Sequence, residues 1–216
     1  MRGVYLHGFA SGPQTAKGVA LGAALRARGV VEAWDIPDLE GGDFANLTMD
    51  RWLDRAEHAV RAAGPGCILA GSSLGGWGAA VLASRRELAI GAALLIAPAF
   101  GFTDRWQDRL GADGLDRWRR DGALPFMHHG LGREIPLGVA FLDSCAAVPA
   151  WPGAPCCPCA IVHGLEDEVV PVAVSRGWSA RFGAVEAHFV HGDHRLTTPR
   201  HLDLMVRAVV DLVAAT

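Results

Sequence analysis

A serine between two glycines is the residue whose position most clearly indicates chemistry in this chain. Residues 71–75 have the form Gly-x-Ser-x-Gly, with Ser73 at the centre. A short apolar run at 67–70 precedes the motif, and a helical pattern at 77–86 follows it. Strand, sharp turn and helix in this order present a serine hydroxyl above the end of the strand. The pattern therefore predicts that Ser73 is a nucleophile.

The two glycines of the motif have a steric explanation. In a sharp strand-to-helix turn, neighbouring backbone comes so close to positions 71 and 75 that any side chain there would collide with it. Gly71 and Gly75 therefore form the nucleophile turn, and Ser72 has a supporting role. A phosphate-binding loop is the weaker alternative, because neither Gly-x-x-x-x-Gly-Lys-Ser/Thr nor Gly-x-Gly-x-x-Gly occurs here.

A nucleophilic serine needs a histidine to take its proton and a carboxylate to orient that histidine. In an open parallel sheet, functional residues collect just beyond the carboxyl ends of the strands. Asp167 follows a predicted strand that ends near residue 162, and His194 follows one that ends near residue 190. We therefore expect Asp167 to be the acid and His194 the base of a catalytic triad with Ser73.

Other residues near these positions compete for the same roles. His191 lies in the same final loop as His194 and is a second candidate base. Asp143 is another candidate acid, and Glu166 and Glu168 flank Asp167. Since adjacent side chains point in different directions, only one of these three neighbouring acids can reach inward.

Acyl transfer also requires hydrogen-bond donors for the oxyanion that develops in the transition state. The backbone N–H of Leu74, directly after the nucleophile, is one expected donor. The other should come from the glycine-rich loop after the first strand, where the backbone N–H of Phe9 is favoured. Gly8 permits the close backbone approach that this role needs.

The elements that position these residues alternate between strand and helix. Strands are predicted at residues 3–6, 30–36, 67–70, 88–97, 159–162 and 184–190, and helices at 15–28, 48–63, 77–86, 171–182 and 199–214. This alternation predicts an α/β fold with a doubly wound, mainly parallel sheet of about six strands. The first helix is predicted to bury an alanine-rich face, comprising Ala16, Val19, Ala20, Ala23, Ala24 and Ala27.

A charged segment interrupts the alternation. Residues 104–121 form a helical pattern with tryptophans on one face, and residues 124–150 are irregular, with several Gly and Pro. We interpret residues 101–150 as a small helical cap inserted into a single domain that covers residues 1–216.

The composition excludes several classes of protein. The formal net charge is −3, so no basic surface for nucleic acid is expected. The longest apolar run, 88–100, is too short to span a membrane and is interrupted by Gly and Pro. Residues 1–6 lead directly into a strand without a signal-peptide core, which favours the cytoplasm. The five cysteines lack the spacing of a zinc site, so no metal is expected.

With these residues assigned, the chain resembles the α/β-hydrolase superfamily over essentially its whole length. Within that superfamily it resembles the small bacterial YqiA-like esterases, notably through Leu-His-Gly-Phe-Ala-Ser-Gly-Pro at residues 6–13. The chain departs from the larger superfamily pattern because it begins directly at the strand before the oxyanion loop. The two antiparallel strands that usually come first are absent, which affects the sheet edge more than the site.

The resemblance implies a serine hydrolase that acts without a cofactor on a small-molecule carboxylic ester or thioester. An acyltransferase that uses the same triad, and a binding protein on a hydrolase-like fold without turnover, are the alternatives. The cap sequence matches no substrate-specific signature, and the sequence indicates no oligomeric state.

Overall fold

The computed structural model describes residues 1–214, apart from the side chain of Gln107. Residues 215 and 216, the end of the predicted domain, lie outside the described residues. The strands are β1 Arg2–Leu6, β2 Ala33–Asp35, β3 Ile68–Ser72, β4 Ala92–Ile96, β5 Ala123–His128, β6 Arg133–Gly138, β7 Cys159–Gly164 and β8 Val185–Val190. The helices are α1 Ala16–Ala27, α2 Met49–Ala63, α3 Leu74–Ala83, α4 Phe102–Asp121, α5 Ala140–Cys145, α6 Val172–Ser179 and α7 Pro199–Ala214.

A six-stranded parallel sheet in the order β2-β1-β3-β4-β7-β8 forms the centre of the fold, as predicted. Strands β3, β4 and β7 are buried along their whole length, because helices cover both faces of the sheet. One face packs against α1 and α7, and the other against α2, α3 and α6. This arrangement brings the carboxyl ends of β1, β3, β7 and β8 to the same edge.

The buried face of α1 differs from the prediction. The helix buries Gly18, Leu21, Gly22 and Leu25, while Val19 is 47% exposed. The alanine-rich face was therefore the wrong one. The glycines face the sheet because they allow the helix backbone to lie close to the aromatic side chains beneath it. A Cβ atom on Gly22 would lie 2.2 Å from the Trp34 ring.

The segment between β4 and β7 contains more regular structure than the sequence indicated. Residues 124–150 were predicted to be irregular, but β5 and β6 pair there as an antiparallel hairpin. Its inward side chains alternate, with Leu124, Phe126 and His128 buried. The two prolines that obscured this alternation, Pro125 and Pro136, lie opposite each other in a hairpin that belongs to no larger sheet.

The most apolar helix is α3, which is buried on all sides beneath the candidate nucleophile. Its apolar character reflects this burial in the core. None of the helices within residues 1–214 combines the length and apolarity needed to cross a lipid bilayer.

Candidate active site

The turn between β3 and α3 holds Ser73 in an unusual backbone conformation. Ser73 has φ 57° and ψ −118°, a combination that costs free energy for any residue except glycine. The flanking glycines make the turn sterically possible. A Cβ atom on Gly71 would lie 2.1 Å from the carbonyl oxygen of Gly75, and one on Gly75 would lie 2.0 Å from that of Leu6. No larger residue fits at either position, as the motif predicts.

The loop after β1 approaches this turn closely. A Cβ atom on Gly8 would lie 3.5 Å from the Cβ of Ser73 and 3.4 Å from the carbonyl oxygen of Ser72. Leu74 is the first residue of α3, so its N–H has no acceptor within the helix and lies at the positive end of the helix dipole. The predicted donor loop and the predicted nucleophile are therefore neighbours.

The Phe9 side chain connects this loop to residues 101–150, between β4 and β7. Its ring lies 5.4–5.7 Å from four other aromatic rings, measured between centroids, and these belong to Phe44, Trp106, Phe126 and Phe141. The N–H of His129, just beyond β5, donates a hydrogen bond of 2.8 Å to the carbonyl oxygen of Ala10. These contacts fix the backbone of the loop relative to Ser73.

Asp167 and His194 form a direct hydrogen bond at the ends of β7 and β8. The Nδ1–H of His194 donates to Oδ2 of Asp167 at 2.7 Å. In the neutral ring this leaves Nε2 without a proton and able to accept one. Two backbone hydrogen bonds tie the loops together, from Leu165 N–H to the carbonyl oxygen of Val190 and from Glu166 N–H to that of Gly192.

The Asp167 carboxylate is fully buried and fully hydrogen-bonded. Its Oδ1 accepts the N–H groups of Val169 at 2.9 Å and Val170 at 2.7 Å. Its Oδ2 accepts from His194 and from Nε2 of His163, which lies 3.0 Å away. Burial alone would raise the pKa of this carboxyl. The hydrogen bonds from His163, His194 and Val170 outweigh burial and hold the pKa well below its usual range.

A further pair of buried side chains orients Asp167 from behind. Nε2 of His163 lies 3.0 Å from the carbonyl oxygen of Val170 as well as from Asp167, and both are acceptors. Nε2 therefore carries a proton, and Nδ1 of the neutral ring accepts from the Ser175 hydroxyl at 2.7 Å. His163 lies within β7. Its contact with the acid could not be read from position alone.

The competing residues lie elsewhere. His191 is 92% exposed in its side chain and bonds to Glu166 at 2.8 Å, so it has a carboxylate partner of its own. Asp143 is exposed on α5. Glu168 is exposed as well. Of the acids and histidines considered, only Asp167 and His194 meet in a partly sheltered position.

Ser73 and His194 are not in hydrogen-bond contact in the structure. Among residues 1–214, no hydrogen bond joins the Ser73 hydroxyl to His194. Catalytic hydrogen bonds are often long or poorly aligned without substrate and tighten in the Michaelis complex. Ser73 and the Asp167–His194 pair lie at the same edge of the sheet, which is the arrangement that a triad requires.

The pH dependence of stability should report the state of Asp167. Its native pKa lies below the ordinary value of about 3.9. Its hydrogen bonds therefore stabilise the fold fully above that value, and this contribution is lost as the pH falls from there towards the native pKa. At neutral pH it is on the order of 2 kcal/mol.

We expect the difference in unfolding free energy between wild type and Asp167→Asn to shrink as the pH is lowered. Urea unfolding at a series of pH values from neutral down to about 2 measures this difference. A difference that stays constant or grows over that range would contradict the hydrogen-bonded carboxylate described above.

Residues 3–202 match the model of a family described as an uncharacterised protein family, UPF0227. The chain belongs to this family. This membership agrees with the YqiA-like resemblance carried by residues 6–13. No curated protein matches the chain.

Several solved structures are similar to the chain over nearly its whole length. A protein from Agrobacterium vitis S4, assigned as a hydrolase, shares 26% identity with a TM-score of 0.83, covering 98% of this chain and 87% of its own. Mouse alpha/beta hydrolase domain-containing protein 10 shares 24% identity with a TM-score of 0.82, covering 99% and 90%. Est1E from Butyrivibrio proteoclasticus shares 19% identity with a TM-score of 0.74, covering 99% and 87%. The chain has the α/β-hydrolase fold.

Proposed function

We propose that this chain is a serine hydrolase that cleaves a carboxylic ester or thioester through an acyl-Ser73 intermediate. The observation that carries the proposal is the hydrogen-bonded Asp167–His194 pair at the sheet edge where the strained turn presents Ser73. Solved structures similar to this chain are described as hydrolases and as an esterase, which supports hydrolase activity in general.

In the first half of the proposed reaction, each of the three side chains has its own role. Nε2 of His194 accepts the Ser73 proton as the hydroxyl oxygen attacks the acyl carbon. Asp167 holds the ring with Nε2 facing outward and stabilises the imidazolium that forms. The N–H groups of Leu74 and Phe9 receive the developing oxyanion. The imidazolium then gives its proton to the departing alcohol or thiol.

Hydrolysis of the intermediate repeats these roles with water as the nucleophile. His194 takes a proton from water, the tetrahedral intermediate collapses, and the proton returns to Ser73 as the acid leaves. The residues of the site supply every proton transfer, so no metal or cofactor enters the proposed reaction.

We further propose that residues 101–150 act as a cap that shapes the acyl pocket. Aromatic side chains from this segment contact the ring of Phe9, whose backbone N–H is a proposed oxyanion donor. These side chains are buried in the core, and we expect a pocket bounded by them to favour apolar acyl groups, since aromatic side chains bury large apolar areas. The proposed substrate class is therefore a small ester or thioester with an apolar acyl chain.

A substrate series tests this function. Acyl esters and acyl thioesters of graded chain length are incubated with wild type and with Ser73→Ala, and the released acid is measured. We expect acid from wild type alone, with the rate dependent on chain length. The same assay with an added alcohol separates hydrolysis from acyl transfer, because an acyltransferase would yield mainly the new ester. Absence of turnover on every member, with ligand still bound by Ser73→Ala, would favour a binding protein instead.

A further inference from the structure

A lysine on α1 contacts the nucleophile turn, and α1 packs on the face of the sheet opposite to α3. Lys17 is the second residue of α1, and its Nζ donates a hydrogen bond of 2.9 Å to the Oγ of Ser72. Ser72 is the last residue of β3 and directly precedes the proposed nucleophile. The contact therefore joins the start of α1 to the residue from which the strained turn departs.

Lys17 is the only lysine in the sequence. The chain has 20 Lys and Arg residues, and all of the others are arginines. Lysine carries a compact ammonium on a flexible stem, whereas arginine carries a wide planar fork. In a chain whose other Lys and Arg residues are all arginines, the position beside Ser72 carries the residue with the compact, titratable charge.

Close packing of α1 against β1 places the Lys17 ammonium next to Ser72. A Cβ atom on Gly18 would lie 2.6 Å from the Tyr5 ring, so the helix can sit this low on β1 only with glycine there. The indole N–H of Trp34 donates to the carbonyl oxygen of Gly18 at 3.0 Å and fixes the first turn of the helix. The buried glycine face of α1 thus positions its neighbour, Lys17.

The carboxylates that attract the Lys17 ammonium come from the loops that carry the proposed acid and base. Its ammonium is partly buried, and the carboxylates of Asp167, after β7, and Asp193, after β8, attract it. From β1, Tyr5 faces the same serine. Burial raises the pKa of Tyr5, although the Ser72 hydroxyl opposes this rise, so the phenol stays neutral and provides no counter-charge.

Asp193 directly precedes the proposed base, His194. Its Oδ1 accepts the N–H groups of Arg195 and Leu196 at 3.0 and 3.1 Å, which fixes the turn that presents the imidazole. The ammonium therefore bonds to the residue before the proposed nucleophile and is attracted by the carboxylate that precedes the proposed base.

We propose that Lys17 is a positioning residue, whose ammonium holds Ser72, and through it the nucleophile turn, by a hydrogen bond. The inference rests on the proposed serine hydrolase function and assigns to that site a residue that touches no substrate. The structure leaves Ser73 and His194 without a direct hydrogen bond, so their alignment depends on groups that hold the two turns in place.

The effect of Lys17 on the free energy of unfolding distinguishes a positioning role from ordinary packing. Burial lowers the pKa of Lys17 from its ordinary value of 10.5 to about 8, although Asp167 and Asp193 oppose this shift. Between these two pKa values the unfolded chain binds more protons than the native one, so this group's contribution to stability rises with pH there. At neutral pH the buried charge therefore destabilises the fold. Removing it should leave the protein as stable or make it more stable.

The test compares Lys17→Met, Lys17→Arg, Ser72→Ala and the Lys17→Met/Ser72→Ala double variant with wild type. Met keeps the stem without the charge, and Arg keeps a charge that does not titrate in this range. We expect kcat/KM of Lys17→Met to fall on the order of 10- to 100-fold, as for a misaligned site. Its thermal midpoint at neutral pH should be unchanged or higher. The double variant should be no worse than Lys17→Met, because both changes remove one interaction.

The pH profile provides the readout that a structural role would not change. Wild-type kcat/KM should decline as the pH rises through about 8, where Lys17 loses its proton. Lys17→Arg should recover part of the lost activity and lack this decline. Because the chain has one lysine, protein labelled with ¹³C at the lysine ε carbon gives a single side-chain signal, whose titration midpoint should lie near the same pH.

Each contrary result is separable from failure of the proposed function. A wild type that hydrolyses esters through Ser73 while Lys17→Met matches it in kcat/KM overturns the inference about Lys17 alone. The inference is equally overturned if Lys17→Met is less stable and its activity loss follows that instability. A wild type without reactivity at Ser73 instead overturns the proposed function.

Discussion

Ser73→Ala is expected to lower kcat/KM for ester hydrolysis by on the order of 10⁴-fold or more, because no other group in the site can carry the acyl intermediate. Substrate binding should change little, since the hydroxyl contributes to the reaction and not to the pocket. Some activity above that of water should survive through the oxyanion donors and substrate binding alone. Steady-state kinetics with the best substrate of the graded series measures both effects.

The matched control lies at the other end of the same helix. Ser84 is the C-cap residue of α3, and its hydroxyl donates a hydrogen bond of 2.7 Å to the carbonyl oxygen of Val81. Ser84→Ala removes the same atom from the same helix and should leave kcat/KM unchanged. Alanine at position 73 is as strained by a φ of 57° as serine is, so Ser73→Ala should remain folded. Comparable activity in the two variants would contradict the assignment of Ser73.

His194→Ala is the second change with a large expected effect, and His191→Ala is its matched control in the same loop. Without His194 the Ser73 proton has no acceptor at the site. We therefore expect a loss in kcat on the order of 10⁴–10⁶-fold. His191 pairs with Glu166 at an exposed position, and an exposed pair of this kind adds little to stability. Its replacement should leave kcat within a few-fold of wild type.

The two histidines differ in a way that kinetics can detect without knowledge of the natural substrate. A chromogenic ester suffices, because both variants are compared with the same wild type. If His191→Ala were the inactive variant and His194→Ala retained activity, the base would have been assigned to the wrong residue. The hydrogen bond of 2.7 Å between His194 and Asp167 would then serve only the fold.

Features that follow from local physics could be predicted from the sequence. The strands were visible because buried parallel strands are continuous apolar runs. The nucleophile turn could be recognised in the sequence because only glycine tolerates the close approach of neighbouring backbone at positions 71 and 75. Asp167 and His194 could be paired because the carboxyl ends of parallel strands meet at one edge. Each of these predictions needed only spacing and residue type.

The features that the sequence did not disclose depend on packing between distant segments. The buried face of α1 was misassigned because alanines form an apolar stripe, whereas the structure uses glycines to fit the helix over Tyr5 and Trp34. The contact of His163 with Asp167 and that of Lys17 with Ser72 each require three-dimensional neighbours. The β5–β6 hairpin was missed because its prolines hid an alternation that burial makes plain.

The central claim is that Ser73 is the nucleophile, and covalent labelling tests it most directly. Folded wild-type protein is treated with a fluorophosphonate, and the labelled peptide is identified by mass spectrometry. We predict one adduct, on Ser73, that is absent from Ser73→Ala and strongly reduced in His194→Ala. Folded wild type that acquires no adduct, or an adduct on Ser72 in place of Ser73, would contradict the account.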